Sequence, residues 1–318
     1  MATGLPNTTT TAVVEVPVTP ANALSLGSRL SFSAAHATVT ALLLLAGLGG
    51  LYRCGRLLGT AEWLINYKRR RRFAQALART VESPPTAAER RRTTLRYFQR
   101  SRCDKLFYLI FDRIPRAKAE RLLTISNGSL LDEALATGRG TYIAMSHHGA
   151  HHVGAMLMAL RGYKIAGVRD RNEGGLRRYV QDRFDRRYPD FCRMRVLFSD
   201  SYPRDIYRCF REGYLVGSAM DVARPPTGSQ KAEEVAVFGE QRLFLSGPLR
   251  VAIRCGAPVV QAFVVSEPGF RYRLDIVDRL IDPGGAHDEE AAVAQAIQTY
   301  AANVERYLRA DPSAISRI

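Results

Sequence analysis

Four of the six histidines in this 318-residue chain lie between positions 147 and 152, in the run Ser146-His147-His148-Gly149-Ala150-His151-His152. Imidazole titrates near neutral pH, so such a run can take or give protons under working conditions. Three chemistries compete. A neutral histidine can remove a proton from a hydroxyl and so activate it for acyl transfer. His147/His151 and His148/His152 are each four apart, which on a helix would align each pair for a metal. No Glu stands between them as in H-E-x-x-H, and no third ligand is evident in the sequence. The third possibility is a structural cluster that only packs and hydrogen-bonds.

The flanking residues say how the run must be held. Thr141 to Met145 is a short apolar stretch after Gly140, which predicts a buried strand. Val153 to Leu160 predicts an apolar helix closed by Arg161-Gly162. The histidines therefore fall after a strand and at the start of a helix, where α/β proteins place their ligand sites. The positive end of that helix favours a developing oxyanion and keeps a neighbouring imidazole neutral.

Further elements follow the same alternation. Strands are expected at Lys164 to Val168, Arg195 to Phe198, Tyr214 to Ala219, Pro258 to Val265 and Tyr272 to Val277. Helices are expected at Leu176 to Arg187, Ser246 to Cys255 and Glu290 to Leu308. This pattern predicts an α/β fold with a mixed, largely parallel sheet flanked by helices. Residues 86–138 read as helical, starting with the capping-box pair Thr86 and Glu89. The aromatic block Leu106 to Phe111 is either core or an acyl-chain or membrane surface.

The N-terminal region has a different composition. Residues 1–31 are rich in Thr, Pro, Ala and Ser and read as a disordered tail. Residues 32–52 are apolar, with His36 the one awkward member, and are long enough to cross a membrane. A buried core helix is the alternative. The basic run Lys68-Arg69-Arg70-Arg71-Arg72 follows, while only Arg29 precedes the apolar stretch, so the part from 53 to 318 is expected on the cytoplasmic side. The net charge of +16 calls for anionic partners. A basic run beside an apolar segment, without interleaved aromatics, fits an anionic membrane surface better than nucleic acid. The five cysteines include no C-x-x-C pair, which suits scattered thiols in a reducing compartment.

In order, the features from about residue 50 to 315 are a basic stretch, the segment Leu130 to Gly140, His-x-Gly, Val168-Arg169 with Asn172, Asp221, Phe238-Gly239, and Gly247-Pro248-Leu249 leading to Ala257-Pro258-Val259-Val260. That order resembles the lysophospholipid acyltransferase superfamily, and within it the late lipid A (lauroyl/myristoyl) acyltransferase branch. The resemblance implies a His followed five positions later by Glu or Asp as the catalytic pair. Placing His147 on that His puts His152 on the acid, a departure that no other register repairs. Val222 also follows Asp221 where the family has Gln, and Gln261 replaces the usual Pro.

The resemblance further implies that His147 acts as general base, with His152 or Asp221 orienting it. Gly149, Arg169, Arg171, Asn172 and Gly239 would line the substrate pocket. The donor would be acyl carrier protein or acyl-CoA and the acceptor a lipid or glycolipid, with no cofactor or metal. The setting would be the bacterial inner membrane. Two rival classes are a non-catalytic lipid- or carrier-binding member and a metal-dependent membrane hydrolase.

Overall fold

The computed structural model describes residues 24–81, 85–169, 175–188, 194–198, 203–221, 231–282 and 288–315. The chain begins with a 40-residue helix, α1 (Leu26–Ile65), capped by Ser25, whose Oγ accepts the Ser28 N–H at 3.2 Å. It therefore starts before the expected anchor at 32–52 and runs on past it. A left-handed Gly47 (φ 64°) interrupts it. Its leucine-rich composition makes it long and apolar enough to cross a membrane. One face nevertheless lies on the rest of the protein, where His36, Val39, Leu51, Gly55 and Gly59 are buried. The opposite side leaves Leu26, Leu30, Leu44, Leu45, Leu57, Leu58, Leu64 and Ile65 exposed. His36 is not an awkward passenger in this helix. Its Nε2 lies 2.9 Å from Asp112 Oδ1, a buried polar link between α1 and the domain.

Two more helices complete this end. The basic run falls in α2 (Tyr67–Thr80). Arg69 there bonds Glu62, Tyr97 and Ser101, and so ties α1 and α2 to α3 (Ala87–Ile110). The capping box of Thr86 and Glu89 starts α3 as expected. Leu106, Phe107, Tyr108, Ile110 and Phe111 are all buried, which makes that block core rather than surface.

The remaining elements are α4 (Arg116–Glu120), β1 (Leu123–Ser126), α5 (Gly128–Ala136), β2 (Thr141–Gly149), α6 (His151–Leu160), β3 (Ile165–Arg169), α7 (Gly175–Arg187), β4 (Arg195–Phe198), α8 (Pro203–Arg211), β5 (Leu215–Ala219), β6 (Ala232–Val237), β7 (Glu240–Leu245), α9 (Gly247–Arg254), β8 (Val259–Glu267), β9 (Arg271–Ile281) and α10 (Glu289–Ala310). Seven strands form one sheet in the order β1-β9-β8-β2-β5-β3-β4, in which only the β8/β9 pairing is antiparallel. Successive side chains on the central strands pack on opposite faces. Ile143, Leu215 and Val260 join a core with α1, α3, α6 and α7. Tyr142, Val216 and Val259 join a second core with α2, α8, α9 and α10. The expected mixed, largely parallel α/β sheet is thus sandwiched between two helical layers.

Several elements escape the sequence pattern: helix α2, the four-residue β1, helix α8, and the hairpin β6/β7. Strand β1 sits at the sheet edge and is too short to show a period. The hairpin turns through Phe238 and Gly239, both with positive φ.

Close approach of α1 to α3 depends on glycine. A Cβ on Gly59 would lie 2.4 Å from the Gln99 Cα. Gly59→Val is therefore expected to destabilise the protein by about 1–3 kcal/mol through forced overpacking. Thermal unfolding of the detergent-solubilised protein measures this, and an unchanged midpoint would contradict the close crossing.

Candidate active site

Strand β2 is central in the sheet and carries the histidine run on its carboxyl end. Its neighbour β5 runs parallel, with Met145 opposite Ala219. The chain beyond each strand therefore emerges at the same edge, His147 from β2 and Asp221 from β5. Further pairing locks this edge. Met220 N–H bonds Met145 O at 3.0 Å, and Asp221 forms an antiparallel bridge with Phe244 of β7.

Asp221 is the hub. Its carboxylate accepts the Ser146 hydroxyl at 2.8 Å and the His147 backbone N–H at 2.9 and 3.0 Å. His147 Nδ1 lies 3.1 Å from Asp221 Oδ1 and 2.7 Å from the Asp221 carbonyl oxygen. Both neighbours of Nδ1 accept and neither donates. The network therefore assigns the proton to Nδ1 and leaves the lone pair on Nε2.

The charges follow from burial and pairing. Burial pushes the Asp221 carboxyl up, but the His147 hydrogen bonds and both histidines beside it hold it below the ordinary carboxylate range. His148 is more deeply buried, with Nε2 3.6 Å from Asp221 Oδ2. Burial is the main cause that lowers its pKa, and Asp221 only partly opposes it. His148 thus stays neutral near pH 7, while Asp221 stays ionised. Tyr300 of α10 closes the floor, its hydroxyl donating to Met145 O at 2.8 Å. Burial and the nearby Asp221 charge hold that hydroxyl protonated.

The sequence places His147 and His148 at the start of a helix, but they belong to β2, just before its last residue Gly149. Only His151 and His152 belong to α6. The two pairs spaced by four therefore do not share one helix face. His147 and His151 meet edge-on at 5.5 Å between ring centres, and His152 packs edge-on against Tyr108 at 4.9 Å and His151 at 5.3 Å. Among the described residues, no three His, Cys, Asp or Glu side chains converge as metal ligands.

The other expected residues divide. Gly149 has φ 78°, and a Cβ there would lie 2.3 Å from the Val264 carbonyl oxygen of β8, so the backbone itself requires glycine. Gly239 occupies the tip of the β6/β7 hairpin, five residues from the Phe244 that bridges Asp221, or roughly 17 Å along an extended strand. Its positive φ of 75° serves that turn. Arg169 ends β3, and Arg171 and Asn172 lie outside the described residues. Ser146, Tyr300 and Arg177, whose Nη2 comes within 3.5 Å of His151 Nε2, carry no motif that would mark them in the sequence.

The family model for bacterial lipid A biosynthesis acyltransferases matches residues 33–313. No curated protein matches the sequence. Among solved structures, the crystal structure of the 1-acyl-sn-glycerophosphate (LPA) acyltransferase PlsC from Thermotoga maritima is similar, with 13% identity and a TM-score of 0.36. The similarity covers 81% of this chain and 95% of that one.

The two lowered pKa values predict the response to acid. Both His148 and Asp221 have folded pKa values below their unfolded ones, so both stabilise the protein above the unfolded value and lose that contribution as pH falls. For His148 the loss begins below ~6.5, and for Asp221 below ~4. His148→Gln is expected to flatten the first segment of unfolding free energy against pH, and Asp221→Asn the second. Urea titrations across this range test it. Unchanged slopes in both variants would contradict the assigned protonation states.

Proposed function

The chain belongs to the bacterial lipid A biosynthesis acyltransferase family, and from that membership we propose that it carries a fatty acyl group from an acyl carrier protein or acyl-CoA thioester to a hydroxyl of a lipid or glycolipid, with His147 as general base. It is an acyltransferase by family, and its apolar N-terminal helix supports association with a membrane. Within that frame we assign it to the late, lauroyl- or myristoyl-transferring branch, working on the cytoplasmic face of the inner membrane.

The observation that carries the mechanism is the acceptor pair around His147 Nδ1. Asp221 Oδ1 and the Asp221 carbonyl fix the tautomer with Nδ1–H, so Nε2 is the basic nitrogen. Nε2 takes the proton from the acceptor hydroxyl as its oxygen attacks the thioester carbonyl. The tetrahedral intermediate collapses, the C–S bond breaks, and the thiolate leaves with the proton returned by the imidazolium. An ester and a free thiol result. Asp221 is a positioning residue here, and its charge stabilises the imidazolium formed during attack. This gives Asp221 the part that the family pattern assigns to an acid five residues after the histidine, the place His152 occupies in this chain. The positive end of α6 beside His147 and His151 favours the developing oxyanion.

His147→Ala is expected to lower kcat by ~10²–10⁴-fold, the usual worth of a general base. Asp221→Asn is expected to lose ~10²-fold or more, because an amide can present an N–H to Nδ1 and favour the wrong tautomer. His152→Ala should remain within about tenfold of wild type, since it leaves the Asp221 bond in place. Acyl transfer from acyl carrier protein donors to lipid acceptors in micelles measures all three. Full turnover in His147→Ala would overturn the base assignment. A loss in His152→Ala equal to that of Asp221→Asn would return the orienting role to His152.

A further inference from the structure

A second polar site lies away from the histidine run, where the apolar helix α1 meets the carboxyl end of α7. An open cleft of about 530 Å³ is lined by Thr40, Leu43 and Leu44 of α1, by Asp112 and Arg113, and by Arg183, Arg186 and Arg187 of α7. Four arginines and one aspartate make this lining net +3. The pairing within it is uneven. Arg183 donates to Asp112 at 2.9 Å, and His36 holds the other carboxylate oxygen. Asp112 is thus already committed, and Arg113 is 3.8 Å from it. Arg186 and Arg187 are exposed at the rim.

Arginines at the end of a helix complement its dipole, and that alone would not make a ligand site. Two other features point to one. Thr40 Oγ is buried and has no hydrogen-bond partner among the described residues. The other wall is apolar and open, with Leu44 80% exposed. A cleft with guanidinium groups on one side and bare leucine on the other matches an amphiphile. Its anionic head would meet the arginines, whose planar forks suit phosphate oxygens, while its chains lie along α1. The same arrangement places arginines level with the middle of the apolar stretch. Charged groups are disfavoured in the hydrocarbon core, so this level of α1 belongs among headgroups.

We propose that this cleft binds the phosphate of a membrane lipid headgroup, with the acyl chains lying over Leu43 and Leu44. The proposal rests on the reading that the protein works at a membrane, and it requires nothing of the histidine chemistry. The site would hold the domain at a fixed height on the bilayer.

The test uses the full chain in neutral detergent micelles, titrated with dioleoyl phosphatidic acid, with dioleoylglycerol, or with inorganic phosphate, and read by native mass spectrometry or thermal shift. Phosphatidic acid is expected to bind at least about tenfold more tightly than the phosphate-free lipid, given the contribution of each basic side chain at an anionic surface. The double variant Arg186→Gln/Arg187→Gln, and Thr40→Val to a smaller degree, should erase that preference. Equal affinity of the double variant and wild type for phosphatidic acid would overturn the proposal. Inorganic phosphate binding as tightly as phosphatidic acid would overturn the headgroup assignment. His147→Ala should bind phosphatidic acid like wild type, so failure of the transfer mechanism and failure of this site are separately visible.

Discussion

The arrangement at the centre of this protein depends on one carboxylate placed between two parallel strands. Asp221 joins β5 to the end of β2 through the Ser146 hydroxyl, the His147 backbone and the His147 ring. A buried, ionised carboxylate is disfavoured unless its oxygens are filled. Here they are filled by the strand it must orient, so charge, position and imidazole tautomer are fixed by the same bonds. The parallel register of Met145 with Ala219 makes this possible. A shift of one residue would turn these side chains to the opposite face of the sheet.

The fold was largely legible in the sequence because its strands and helices differ in period. Apolar runs such as Thr141 to Met145 and Pro258 to Val265 read as strands, and both are, inside the sheet. The failures have physical causes. Strand β1 is held by the β9 partner rather than by its own pattern. The histidine run differs from its expected helical start because β2 continues to Gly149, where a left-handed glycine against Val264 ends it. The site was half legible. Adjacency of His147 to a strand end follows from local order. The approach of Asp221, 74 positions away, follows only from strand order, which sequence pattern does not encode.

The N-terminal helix shows a similar division. Its composition marks it as apolar and long enough to cross a membrane. Composition does not show that one face is occupied. Gly55 and Gly59 let α3 approach, and His36 reaches the buried Asp112. A histidine in an apolar helix looks like a defect in a span. In the fold it is a polar contact that sets the rotation of α1 about its own axis, and with it which leucines face outward. The helix and the α/β domain are therefore oriented together rather than joined by a free tether.

Two imidazoles beside one carboxylate raise the question of which accepts a proton. Asp221 can compensate one positive charge, and a second cation on His148, whose Nε2 is 3.6 Å from Asp221 Oδ2, would repel the first. Burial decides the matter. His148 is only 4% exposed, and desolvation holds it neutral, whereas His147 is 17% exposed and has both Asp221 acceptors at Nδ1. The imidazolium is therefore disfavoured at His148, and both Asp221 acceptors are left to His147. A general base needs this asymmetry. Its protonated form must be stabilised, while its neighbour must not compete for the same counter-charge. The neutral His148 also adds no positive charge that would hold Asp221 away from His147. In the proposed mechanism the crowding of histidines serves one basic nitrogen, and the deeper, neutral ring leaves the carboxylate to it.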